Sequence, residues 1–178
     1  SGSVAPGASG YTTIAASSWA VIATGNTVGW SQVTTGSRGA PQSLTLTGNT
    51  SVTDIILAQR VESFDAAALA GQTCTFQLAV TNNTGSTITP TIATRYAGST
   101  DNWTSPVTDL AATNLQSISN GSTATLAYTF AVSVNAVVGY EIKIDFGNNF
   151  SSNTKNVTIT AVDFRVTPNV STGLNSNP

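Results

Sequence analysis

The chain contains no histidine. That absence removes Ser-His-Asp and Cys-His catalysis, and with them the commonest zinc and iron ligands. There is one cysteine, Cys74, so no internal disulfide can form. Its inward phase in a strand reads as a small buried hydrophobe. Charge is scarce: 8% of residues are charged, against about 25% in an ordinary domain. The eight acids and six bases leave a net charge of −2 and are scattered singly. No run of Lys or Arg can neutralise a phosphate backbone, which argues against nucleic acid as a partner. No apolar stretch reaches the roughly 18 residues of a membrane-spanning helix. No glycine-rich phosphate loop opens a helix, so nucleotide binding has no support. Glu141 and Asp145 share one face of a strand but lie about 13 Å apart at ~3.3 Å per residue. A glycosidase pair needs carboxyls roughly 5–10 Å apart. These exclusions together predict a protein that is not an enzyme.

What remains is a chain of 178 residues, 40% of them hydrophobic. A chain this long buries roughly 70% of its unfolded surface and needs no staple. Its polar surface must be built from Thr, Ser, Asn, Gly and Gln, a neutral hydrogen-bonding exterior common on extracellular and virion proteins. The β-branched residues fall in ordered alternation, which is not the composition of a disordered chain.

The organising stretch is Ile55 to Val80. Cys74, Phe76, Leu78 and Val80 alternate with polar or small neighbours, a period of two that places one set inward. Ile55, Leu57 and Val61 point one way, Arg60 and Glu62 the other. Between these strands Asp65 is placed to cap a single helical turn near residues 65–70, ended by Gly71. Residues 1–12 read as a flexible lead-in, with Ser1 to Ser3 a cloning remnant or cut site, and the chain as a fragment of something longer. Residues 13–168 read as one sandwich domain and 169–178 as a loose tail.

Along the domain, Ile14 to Ala23 and Thr27 to Val33 flank a predicted hairpin turn at Thr24-Gly25-Asn26. Trp19 reads as core, and Trp30 as core or a sheet-face aromatic. Ser37 to Pro41 is a predicted loop, and Leu44 and Leu46 mark a strand. Pro90 places the next strand at an edge or starts it after the proline. Ala97 to Asn114 is the longest polar connection. Ala124 to Val134 alternates with Leu126, Tyr128, Phe130, Val132 and Val134 inward. Tyr140, Ile142, Ile144 and Phe146 form another inward set, with Glu141, Lys143 and Asp145 on a solvated outer face. A bulge near Ala161-Val162 reconciles two phases in the last strand, which Pro168 ends. The sum is an all-β antiparallel sandwich of jelly-roll type with about eight to ten strands.

The best binding candidate is Arg95, Tyr96, Asp101, Asn102 and Trp103. Sugars present C–H faces to aromatic rings and hydroxyl pairs to carboxylate, amide or guanidinium groups. The competing reading makes Trp103 a local anchor and Asp101 a turn former. Arg60, Glu62, Lys143 and Asp145 read as cross-strand ion pairs on a sheet face. Asp101, Asp109 and Asp163 are the hard oxygen ligands available should calcium bind, although no spaced acidic motif accompanies them.

LAQRVES…LAGQTCTFQLAV resembles the LRQRIE…LAGKTVTFSFW pattern of β-sandwich domains in bacteriophage tail fibres and related virion proteins. GYTTIAASSWAVIA resembles the GYTADRW opening of that pattern, with Trp19 in place of its tryptophan. ATRYAGSTDNWTSPVTD and the closing YEIKIDF…NVTITAVDFRVTPNV follow in the same order. The NLLINGDFDIWQRG start is absent, and Asp163 to Val166 replaces a glutamate-rich end. The resemblance implies a non-enzymatic jelly roll of carbohydrate-binding-module form on a virion appendage. It would contact host-surface polysaccharide or other virion proteins, often as a homotrimer. The alternatives are a purely structural capsid decoration or fibre spacer, and an accessory carbohydrate-binding module of a bacterial polysaccharide-degrading enzyme.

Overall fold

The computed structural model describes residues 1–6, 12–13, 19–33 and 43–166. The described strands are β1 (Gly2–Val4), β2 (Thr12–Thr13), β3 (Trp19–Thr24), β4 (Val28–Val33), β5 (Ser43–Thr47), β6 (Asp54–Val61), β7 (Thr73–Asn83), β8 (Thr91–Tyr96), β9 (Val107–Asn114), β10 (Thr123–Ala131), β11 (Tyr140–Asp145) and β12 (Asn156–Val166). They form two six-stranded sheets, β1-β4-β5-β12-β7-β10 and β2-β3-β6-β11-β8-β9. The pairings are antiparallel. We call them the first and second sheet. Most connections cross from one sheet to the other, so the strands build a jelly-roll sandwich rather than two separate meanders.

The core lies between the sheets and follows the expected phases. Cys74, Phe76, Leu78 and Val80 of β7 are buried, as are Tyr140, Ile142 and Ile144 of β11 and Ile55 and Leu57 of β6. Trp19 and Trp30 pack against this core while remaining partly exposed. β8 begins immediately after Pro90, where the missing N–H costs no ladder bond. The register of β12 shifts between Ile159 and Ala161, close to the expected bulge.

Several local expectations are corrected. Thr24-Gly25-Asn26 is not a hairpin turn, because β3 and β4 lie in different sheets. The chain crosses the sandwich there, and Thr53 N–H donates to Thr24 O at 2.9 Å. Gly25 is required (φ +88°), since a Cβ would come within 2.1 Å of Ser51 O. Within the lead-in, Gly2–Val4 pairs with Val28–Trp30, and Val4 is fully buried. The polar connection after β8 ends at Pro106, because Val107–Asn114 is an edge strand. Its mostly exposed residues leave little alternation to read. Val134 is 69% exposed. Ser133 Oγ accepts from Asn135 N–H and starts a 3-10 turn, Val134–Val138, which ends the strand phase. The helical turn, α1 (Ser63–Ala66), begins earlier than expected, so Asp65 lies inside it rather than capping it. The Ser37–Pro41 loop, the strand positions before Trp19 and the 169–178 tail lie outside the described residues.

Candidate functional site

β11 lies between β6 and β8 in the second sheet. This register sets Glu141 directly opposite Arg60 on one side and Arg95 on the other. All three side chains rise from the outer face, since their neighbours Tyr140 and Ile142 point inward. Glu141 Oε2 accepts from Arg60 Nε at 2.8 Å, and Oε1 accepts from Arg95 Nε. The expected solvated outer face is thus wrong at Glu141. Its side chain is 0% exposed, while those of Arg60 and Arg95 are 29% and 27% exposed. The two guanidinium groups cover the carboxylate and leave the trio with one net positive charge. Charge-assisted hydrogen bonds offset the desolvation of the buried carboxylate.

Trp103 completes the arrangement. The guanidinium carbon of Arg60 lies 4.6 Å from its ring centroid, a cation–π contact. The loop carrying it, residues 97–106, is pinned to the start of β11. Ala97 N–H donates to Gly139 O at 3.0 Å, and Asp101 N–H to Val138 O at 2.8 Å. Asp101 holds φ +53°, a left-handed conformation Asp tolerates better than most residues. Its two carboxylate oxygens accept from Ser63 N–H and Ser63 Oγ–H, each at 2.7 Å. Gly139 (φ +115°) lets the loop settle: a Cβ would lie 3.1 Å from Asp101 Oδ1 and 3.4 Å from Trp103 Cζ2.

Beyond the trio the outer face becomes small and shallow. Lys143 is flanked by Ala58 and Ala93. Further along, Asp145 and Asp54 form a carboxyl pair. Burial is the main cause that pushes Asp54 up to about 7, followed by its hydrogen bond to Asp145 and the charge of that group, while Lys143 opposes the shift. Asp145 Oδ1 accepts from Gly147 N–H at 2.7 Å, and Asp54 Oδ1 is buried with no partner.

Of the five candidate residues, Arg95 and Trp103 meet around the trio. Tyr96 has the inward phase, opposite Tyr140, and its hydroxyl accepts from Asn135 Nδ2 at 3.4 Å. Asp101 spends its carboxylate on Ser63. Asn102 Oδ1 accepts from Thr104 N–H at 3.0 Å, which shapes the loop beneath the ring. The three calcium candidates do not converge. Asp109 accepts from Ser133 N–H at 3.0 Å and from the Tyr140 hydroxyl at 2.7 Å. Asp163 pairs with Arg165 on the first sheet. Among the described residues no cluster of three His, Cys, Asp or Glu side chains is placed to hold a metal. Sequence reasoning missed Glu141 and the part Arg60 plays. The signal was one acid on a central strand with an odd-phase arginine on two other strands, and only the register connects them.

The arrangement offers a partly exposed aromatic ring with two anchored guanidinium groups on the same sheet face. No protein-family model and no curated protein matches the chain. Solved structures do. The enzymatically active domain of tailspike protein 4 from bacteriophage CBA120 superposes with a TM-score of 0.60 at 16% identity. That match covers 83% of this chain and 19% of the phage chain, so this chain spans about a fifth of the protein it matches. A family 22 xylan-binding domain superposes at 0.57 and 13% identity, over 85% of this chain and 88% of the other. The second family 22 xylan-binding module of Xyn10C from Paenibacillus barcinonensis superposes at 0.57 and 15% identity, over 85% and 93%. The chain has the β-sandwich fold of carbohydrate-binding modules.

Proposed function

We propose that this chain is a non-catalytic glycan-recognition domain that binds polysaccharide on the outer face of its second sheet. The observation that carries it is the partly exposed Trp103 braced over Arg60, with Arg95 on the same outer face, joined to Arg60 through Glu141. A sugar ring stacks on the face of Trp103 that Arg60 does not cover, and Arg95 donates to its hydroxyls. Glu141, fully covered, orients both arginines. Asp101 and Asn102 act by holding the loop in place. The fold of its structural neighbours supports the reading.

The setting we propose is a virion appendage that contacts host-surface glycan as a trimer, in resemblance to tail fibres; the fibre-like motifs support it. A second setting, an accessory module of a bacterial polysaccharide-degrading enzyme, draws on the likeness to xylan-binding modules. One array carrying bacterial surface polysaccharides and plant xylans tests both. Binding to surface polysaccharides supports the first setting, and binding to xylans the second. Loss of about fivefold or more in affinity in Trp103→Ala supports the site, because stacking on an aromatic ring contributes on the order of 1 kcal/mol. Hits that the substitution leaves unchanged overturn the site, and an array without hits overturns the function.

A further inference from the structure

Toward one end of the sandwich, the inward positions of three strands lose their cover. On β3, Val21 and Ala23 are buried while Trp19 is half-buried. On β6, Ile55 and Leu57 are buried while Gln59 and Val61 are half-buried. On β12, Val157 and Ile159 are buried, and beyond the bulge Val162 and Phe164 are half-buried. These strands belong to both sheets, so the gap lies between the layers. It is a cleft of about 390 Å³, with Asp65 of α1 on its wall. Among the described residues β5 pairs with β12 only as far as Ile159, which leaves that side of the mouth without a described neighbouring strand. Gln59 and Val61 bracket Arg60 in sequence and face the opposite way. The cleft and the Trp103 face therefore lie on opposite sides of β6.

We propose that this cleft is a second glycan subsite, one that takes the terminal ring of a saccharide. The proposal rests on the glycan reading above. The volume sits at the low end of the roughly 300–1,000 Å³ typical of ligand pockets, enough for a short saccharide end and not for a long chain. Trp19 and Phe164 supply flat apolar surfaces for a sugar's C–H face. Asp65 supplies a carboxylate that accepts from two adjacent hydroxyls. An acyl chain would match the walls but press methylenes against Asp65 and Gln59, which costs the desolvation of both. An anionic ligand would meet the Asp65 carboxylate, and the described lining residues carry no cation. A ring edged with hydroxyls satisfies walls and carboxylate together. The outer face suits the interior of a polysaccharide, whereas a cleft flanked by the two sheets suits an end.

The test uses the full chain and a panel of methyl glycosides of glucose, galactose, mannose, xylose and N-acetylglucosamine, read by saturation-transfer NMR and by Trp19 fluorescence in a Trp30→Phe, Trp103→Phe background. Binding of at least one glycoside is expected. Asp65→Ala should weaken it at least about tenfold, as expected for a lost hydrogen bond to a charged group. Asp65 is exposed, so this variant should keep the fold. A second variant, Leu69→Trp, plugs the cleft from its wall and should abolish glycoside binding with an unchanged melting temperature. Polymer binding on the array with no glycoside binding, or with glycoside binding indifferent to both variants, overturns the cleft and leaves the Trp103 face standing. Glycoside binding lost in both variants but without a polymer hit keeps the cleft and overturns the face. No binding by either probe overturns both.

Discussion

Glu141 is the residue on which the outer face turns. Its carboxylate is fully covered and receives Nε–H from two arginines of neighbouring strands. Removing one member of a buried ion pair strands the others, at about 3–5 kcal/mol. Glu141→Gln keeps the shape but leaves two guanidinium groups side by side without a counter-charge. It should lower the unfolding free energy by about 3 kcal/mol, measured by urea titration with an unchanged slope. It should also weaken glycan binding, because the arginines lose their common anchor. A variant as stable as the wild type would show that solvent, not Glu141, compensates the arginines.

Asp54 makes a different residue-scale prediction. Its folded-state pKa is raised from 3.8 to about 7, chiefly by burial and then by Asp145. The folded chain therefore holds a proton that the unfolded chain releases between these values. Stability contributed by that proton is full below about pH 4 and is lost as pH rises through about 7. Thermal melts from pH 4 to 8 should show the melting temperature falling across this window. Asp54→Asn should flatten the fall and melt higher than wild type at pH 8. An equal slope in both proteins would assign the dependence to another group.

At the scale of the elements, the loop of residues 97–106 decides where Trp103 sits. Three attachments hold it: Ala97 and Asp101 to the backbone before β11, and the Asp101 carboxylate to Ser63 at the start of α1. Asp101→Ala removes two hydrogen bonds to a charged acceptor, each worth about 1.5–3 kcal/mol, and frees the loop from α1. The Trp103 indole should then leave Arg60, seen as a red shift and lower anisotropy of its fluorescence in a chain with Trp19 and Trp30 replaced by Phe. Glycan affinity should fall with it. An unmoved spectrum would mean that the backbone bonds suffice.

The same scale explains what the sequence could and could not disclose. The phases of β7, β10 and β11 are legible because each carries a long in-phase apolar set, although β7 is a central strand that also buries Thr75, Gln77 and Ala79 of its other phase. The bulge in β12 is legible because two apolar phases in one strand cannot both face inward without it. Strand β9 is hidden, since an edge strand with both faces partly wet has little reason to alternate. The crossing at Gly25 looks like a hairpin because a left-handed glycine serves both, and only contact with the loop at Ser51 separates them. Arg95 and Trp103 stand out as residue types suited to sugars. Glu141 does not, because its burial comes from two arginines that lie 81 and 46 positions away, a distance no local pattern spans.

For the molecule as a whole, the two ends of the sandwich differ. Core residues such as Val157, Ile55 and Ala23 are sealed at one end, whereas Trp19, Val61 and Phe164 are partly open at the other. Cys74 is paired with Phe130 and Val166 near that open end, yet it is itself buried. Burial also raises its thiol pKa, which slows attack by depleting the thiolate. Regions with fewer sealed contacts open at lower cost than the whole fold. Labelling of Cys74 by a thiol-reactive disulfide should therefore be slow in the native protein but report an opening free energy below that from urea unfolding. The gap should close when Leu69→Trp fills the cleft. Labelling that tracks global unfolding in both proteins would mean the sandwich opens only as one unit, with the cleft end no weaker than the sealed one.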